Sequence, residues 1–373
     1  MSAQPKKIAI VVPKYGLVGG GERFVFELTE RLAENPQYDI HVLANKWHSR
    51  NAKISFHKIP IIFFPKWLTT LSFAFFVQKK IKQLQPDIVH THDRIFKADI
   101  ASVHSIPHLA WVKKIRGKSF PSLYDLVTGW VERRLYVKGG CQKILPVSEL
   151  AAQEICQEYP FVREKMEIMP PGIDLEKFGR RSPEWRAQAR QEFGVKEDDI
   201  LVLFVGMNFE LKGLDQLLAS ISRAQGIIKK KRFRLLVAGK GNADKYGALV
   251  KKIGLEKDVF FAGVRKDMER LYQAGDIFCL LSQFDTFGMV VVEALAAGLP
   301  VIVSTQVGAK DLIREGENGF VVNRLEVERI SSLLLSMAED SGRALMAEKA
   351  KESVSGCGWQ TLVRRVGELY DRL

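Results

Sequence analysis

Residues Ser282 to Ser304 read SQFDTFGMVVVEALAAGLPVIVS. A polar loop, Gln283 to Thr286, leads into a run with helical apolar spacing; Gly298 stops it, and Pro300 precedes the β-branched run Val301-Ile302-Val303. Strand end, loop, helix, glycine stop and next strand form the repeating unit of a parallel α/β sheet. Asp285 stands just before the predicted helix and Glu293 two turns into it. The amides of Phe287, Gly288 and Met289 would lie at the positive helix end, where Gly288 lets a ligand come close, so an anion such as a phosphate fits. Two carboxylates eight residues apart could accept from sugar hydroxyls on either side of it. The plainer alternative is an ordinary strand–helix–strand unit with a solvated Asp as its cap.

An acid, seven residues and a glutamate, within FGxxxxEAxAxGxPVI, resemble the donor-site motif of retaining glycosyltransferases of the GT-B fold, family 4, among them the lipopolysaccharide-core glucosyltransferases. The resemblance implies that Glu293 binds the ribose of a nucleotide, that Asp285 contacts the donor sugar, and that the amides between them hold the diphosphate. Asp285 stands where the family usually has Glu, one methylene longer.

The chain has 373 residues, 46% of them hydrophobic, enough for two domains with their own cores. Four cysteines far apart, without CxxC, indicate neither a zinc site nor a disulfide framework. The opening MSAQPKK runs directly into the strand-like IAIVVP, which leaves no room for a signal peptide and fits a reducing cytosol. The net charge is +13. Most of it lies before Pro170, where 25 Lys or Arg face 15 Asp or Glu. Between Ile40 and Pro86 there are eight basic residues, no acid, and Phe63, Phe64, Trp67, Phe73, Phe75 and Phe76. Basic residues interleaved with aromatics suit peripheral contact with an anionic membrane. Pro65 and Lys66 break the apolar run well short of the ~20 residues needed to span one. A buried strand and helix with solvated lysines is the bland reading of the same segment. The basic charge carries no recognised nucleic-acid reader motif, and no nucleic-acid partner is expected.

The first half alternates strands and helices in a doubly wound pattern. Strands are predicted at 7–13, 40–44, 54–62, 87–90, 100–104 and 143–147. Helices are predicted near 20–34, 68–84 and 121–136, and one opens at Ser148. The first turn holds Gly19-Gly20-Gly21-Glu22-Arg23, where glycines can bring backbone against a ligand. It is not GxGxxG, and the second strand ends in Ala44-Asn45-Lys46 with no acid for an adenine ribose, which disfavours a nicotinamide dehydrogenase. The turn resembles the family's N-terminal glycine loop, which points to Gly20 and Gly21; a plain tight turn is the alternative. His90, His92, His104 and His108 cluster beside Asp93 and raise a metal site as one reading. The other is that these residues end parallel strands, at the edge where α/β sites lie. In the family a histidine after such a strand contacts the donor sugar. His104 is the first choice for that role and His108 the second. No DxD motif is present to hold Mg²⁺.

Met169-Pro170-Pro171-Gly172-Ile173-Asp174 resembles the family's interdomain linker, and two prolines with a glycine make a stiff turn there. A charged helix is predicted from Arg180 to Phe193 and a second sheet from Ile200 onward. Lys212-Gly213 follows the first strand of that sheet. In the family this lysine contacts the diphosphate and neutralises the leaving group, usually with an arginine a few residues earlier. None stands between Gly206 and Lys212. Val264 and Arg265, after a later strand, match the turn whose backbone recognises the base.

The resemblance implies two Rossmann-like doubly wound domains facing across a cleft. Residues 1–170 would bind acceptor and 171–356 the nucleotide sugar, with helix 357–373 packing back on the first. It implies retaining, metal-independent transfer of a hexose from a nucleotide sugar, UDP-linked in the first instance, to a glycolipid or lipopolysaccharide-core acceptor at the inner membrane face, with no cofactor. Same-face attack would pass the acceptor proton to the leaving phosphate. The alternative is a nucleotide-sugar-binding protein with impaired catalysis, given Asp285 and the missing arginine.

Overall fold

The computed structural model describes residues 4–16, 20–137, 139–180, 182–229 and 231–373. Gly19, the end of the predicted first loop, and Arg181 in the predicted charged helix lie outside them.

The chain forms two compact units, 1–172 with 359–373, and 173–358. Each is built on a six-stranded, wholly parallel sheet. In the first, the strands lie in the order Ile54–Lys58, Tyr38–Ala44, Lys6–Val11, Ile88–Thr91, Ile100–Val103, Lys143–Pro146. In the second, the order is Val259–Gly263, Phe233–Lys240, Ile200–Met207, Ile277–Leu280, Val301–Ser304, Gly319–Val322. Both sheets are therefore wound outward from their first strand to both edges, the Rossmann order, and each reverses direction between its first and fourth strands. Ligands of such sheets bind at the carboxyl ends beside that reversal.

The strands are read as near-continuous apolar runs because helices cover both faces. Ile200 to Val205 are all buried, and each such side chain contributes about 1.5–3 kcal/mol. In the first unit one core joins Ile8, Ile10 and Ile40 to helix Gly20–Leu32 and to Leu362, Val366 and Leu369 of the last helix, Trp359–Arg372. The opposite face packs Ala9, Val11 and Val89 against Phe73 and Val77 of helix Leu68–Leu84.

Several predicted boundaries move, each for a local reason. The third strand stops at Lys58 because Pro60 cannot continue the ladder. A short helix, His108–Lys114, opens after Pro107 and precedes Leu123–Tyr136, which Ser122 and Asp125 cap reciprocally. The charged segment begins its helix at Pro183 behind a Ser182 cap, after a separate turn of helix at Leu175–Gly179. Gly288 caps helix Met289–Ala296, which puts Glu293 little more than one turn in rather than two.

Candidate functional site

In the second unit, the loops after the first and fourth strands are knitted together. Gln283 donates its amide to Leu211 O at 2.8 Å, and Ser282 Oγ donates to the same carbonyl at 3.1 Å. Gly213, in left-handed backbone at φ +80°, lies so close that a Cβ there would stand 2.1 Å from Leu281 O. This close approach sets Lys212 over the strand ends, its side chain against Gly206, where a Cβ would be 2.9 Å from Lys212 Cγ. Lys212 Nζ lies 2.5 Å from Asp285 Oδ2.

Asp285 is fixed at both ends of its backbone, its amide donating to Gln306 O at 2.9 Å and its carbonyl accepting from Gly308 at 3.0 Å. A Cβ on Gly288 would come within 3.7 Å of Asp285 Oδ2. Lys212, Asp285 and the start of helix Met289–Ala296 thus share one small region. Phe287 is buried and its backbone is engaged, the amide pointing to Asp285 Oδ1 at 3.4 Å and the carbonyl accepting from Ala309 at 2.6 Å. The amides of Gly288 and Met289 belong to the first turn, where a helix has no acceptor of its own.

Glu293 is oriented by a residue that sequence reading missed. The buried Tyr272 donates its phenol to Glu293 Oε2 at 2.8 Å. Tyr272 sits at an apolar position of helix Met268–Ala274 between Phe178 and Phe278, so in sequence it resembles an ordinary core aromatic. Val264 is exposed at the end of strand Val259–Gly263, as a backbone contact to a base requires. The Arg265 head is occupied. It pairs with Asp267 through two bonds of 2.8 Å and with Glu192 at 2.5 Å.

In the first unit, Gly20 and Gly21 open their helix, and a Cβ on Gly21 would lie in ordinary contact, 3.6 Å, with His104. The glycine turn and His104 are therefore neighbours. His104 is flanked by Phe24, with ring centroids 4.7 Å apart, and by His92, whose ring lies nearly parallel to it. Burial lowers its pKa to about 4, so the ring is neutral at pH 7. His90, fully buried, is lowered to about 3, chiefly by burial. His108 is turned into the fold. Its Nε2 bonds Asp125 at 2.9 Å and its amide donates to Glu132, which also holds Arg94. That network braces helix Leu123–Tyr136 and leaves His104 as the histidine set beside the glycine turn. Among the described residues no group of three or more His, Cys, Asp or Glu is arranged to hold a metal ion.

Residues 186–353 match the family described as Glycosyl transferases group 1, and residues 18–177 match Glycosyltransferase Family 4. An uncharacterized glycosyltransferase of Methanocaldococcus jannaschii is 26% identical over 98% of this chain and 97% of its own. The lipopolysaccharide glucosyltransferase WaaG of Escherichia coli is 24% identical over 92% of this chain and 93% of its own. A crystal structure of WaaG, described as involved in lipopolysaccharide biosynthesis, superposes with a TM-score of 0.80 at 22% identity, over 97% of this chain and 99% of the other. Anabaena HepE in complex with UDP and glucose superposes with a TM-score of 0.74 at 18% identity, over 99% and 100% of the two chains.

Proposed function

Because the chain belongs to the family 4 glycosyltransferases and has their GT-B fold, we propose that it moves a hexose from a UDP-linked donor to a glycolipid or lipopolysaccharide-core acceptor, with retention of configuration and without a metal ion. The observation that carries this reading is the convergence of Lys212, Asp285 and the start of helix Met289–Ala296 at the switch point of the second sheet. A cation and the first-turn amides of a helix, Gly288 and Met289, suit a diphosphate. As the bond to the sugar breaks, negative charge grows on the leaving phosphate, and Lys212 with the Gly288 and Met289 amides would stabilise it in place of a metal. The acceptor hydroxyl attacks from the same face, and its proton passes to the leaving phosphate oxygen. Glu293, steadied by Tyr272, binds the ribose; Val264 and Arg265 offer backbone to the base. Asp285 and His104 address the sugar. The UDP and glucose bound by HepE support the choice of nucleotide, and the name of WaaG supports the acceptor class.

Peripheral membrane contact through 40–86 is part of the proposal. Among the described residues no helix is long and apolar enough to cross a membrane. Phe64 is 88% and Phe120 89% exposed, with Phe63 and Leu123 more than half exposed and Trp130 half-exposed. Helices Leu68–Leu84 and Leu123–Tyr136 meet through Thr70 and Thr128 at 3.2 Å, so the apolar surface of the first segment extends to the second. Exposed Lys66, Lys118, Arg133 and Arg134 accompany these side chains, a composition suited to anionic headgroups.

Incubation with UDP-glucose, UDP-galactose, UDP-GlcNAc and GDP-mannose, with a lipopolysaccharide-core acceptor and with EDTA, tests the chemistry. The expected result is nucleotide release and a product whose anomeric configuration, read by NMR, equals that of the donor. Inversion or dependence on added metal would refute the mechanism. Nucleotide binding without any transfer would favour a binding protein with impaired catalysis, the reading that Asp285 and the missing arginine keep open.

A further inference from the structure

His90, His92 and His104 form a row, with ring centroids 4.4 Å apart for the first pair and 5.4 Å for the second. His90 has both ring nitrogens engaged, Nδ1 with Tyr370 Oη and Nε2 with Ser102 Oγ, each at 2.8 Å. His92 differs. Its Nδ1 lies 3.1 Å from His104 Nε2, the two rings within 13° of parallel, while its Nε2 is buried with no hydrogen-bond partner among the described residues. Burial keeps both rings neutral.

Between two neutral imidazoles one nitrogen donates and the other accepts. If His104 Nε2–H were the donor, His92 would carry its own proton on Nε2, burying an N–H with nothing to receive it. If His92 Nδ1–H is the donor, only a lone pair is left unmatched. A buried orphan N–H is the rarer defect, and the choice of tautomer follows from it.

We propose that His92 is a positioning residue, donating from Nδ1 to His104 Nε2 and fixing His104 as the tautomer protonated on Nδ1. Any contact that His104 makes through Nδ1 is then made as a donor, which suits a hydroxyl oxygen of the sugar. Phe24 and Gly21 pack the same ring from other directions and limit its reorientation. The functional part of the inference rests on His104 as a sugar contact; the tautomer does not.

Long-range ¹H–¹⁵N spectra of the histidine rings at pH 7 test it directly, with His104→Gln used for assignment. The expected result is His104 protonated on Nδ1. The variant His92→Asn places an amide nitrogen where Nδ1 stood, whereas His92→Gln places it near Nε2. Asn should preserve the tautomer and keep kcat for UDP release from UDP-glucose within threefold. Gln should shift His104 toward Nε2 protonation and lower kcat roughly 10- to 100-fold, the range seen when partners that orient metal-ligating histidines are removed. Wild-type His104 protonated on Nε2, or Asn and Gln variants that behave alike, would overturn the proposal. Should both variants fail to fold, the wild-type spectrum still decides. An Nδ1-protonated His104 whose replacement by alanine leaves UDP-glucose turnover unchanged would remove the sugar-contact reading and leave the tautomer standing.

Discussion

Asp285 and Lys212 hold opposite charges 2.5 Å apart, both side chains only 18% exposed. The pair answers the shortened acid: Asp285 reaches the ammonium of the residue that should meet the diphosphate. An incoming diphosphate must then compete with Asp285 for Lys212, and it also meets a fixed negative charge. Asp285→Asn removes both effects. UDP should bind about tenfold more tightly by calorimetry, equivalent to about 1.4 kcal/mol, while transfer falls because the sugar loses its carboxylate. Equal or weaker UDP affinity in the variant would show that Asp285 instead helps Lys212 bind phosphate. The pairing itself could not be read from sequence, since 73 residues separate the partners and only the sheet order brings them together. The same holds for Tyr272 and Glu293.

At the scale of elements, the strand and helix pattern was largely legible, because a parallel sheet covered on both faces writes itself as apolar runs between glycine and proline stops. Helix Leu68–Leu84 agrees with its expected bounds because apolar positions recur at helical spacing and Pro86 follows. Legibility fails where the breaker acts one step earlier, as at Pro60, or where a helix is too short to show a period, as at the seven-residue His108–Lys114 ahead of Leu123–Tyr136. The glycine after Lys212 was legible as a motif but not as a requirement. Its φ of +80° and the 2.1 Å approach of its absent Cβ to Leu281 O make it one. Gly213→Ala must both strain the backbone and push two strand ends apart. It should cost roughly 2–4 kcal/mol in urea unfolding and displace Lys212, so UDP affinity falls with stability. A variant of unchanged stability would mean that the loop relaxes freely and does not position the lysine.

At the scale of the molecule, all seven histidines lie in the first unit. His57, His90, His92, His104 and His108 all have pKa values lowered, with burial the leading cause in each. A histidine buried neutral binds fewer protons folded than unfolded. Its contribution is therefore intact above the unfolded pKa of about 6.5 and is lost as pH falls toward the folded value, about 4 for His104. Each of the deeply buried rings should withdraw on the order of 1–2 kcal/mol between pH 7 and pH 5. The second unit has no histidine, and Asp267, held at about 2 by its hydrogen bonds to Arg265, loses its contribution only below about pH 4. Hydrogen exchange followed by mass spectrometry should show amides of the first unit opening at pH 5 while those of the second hold. Equal loss in both would contradict the placement of the acid-sensitive groups.

The central claim is that the second unit holds a nucleoside diphosphate at the carboxyl ends of its first and fourth strands. Titration calorimetry of UDP, GDP and ADP into wild type, Lys212→Met and Glu293→Ala tests it most directly. The account predicts that UDP binds wild type best, that Lys212→Met weakens all three nucleotides alike, and that Glu293→Ala weakens UDP at least tenfold by removing the ribose contact. Failure of every nucleotide to bind wild type, or UDP binding indifferent to both substitutions, would contradict it.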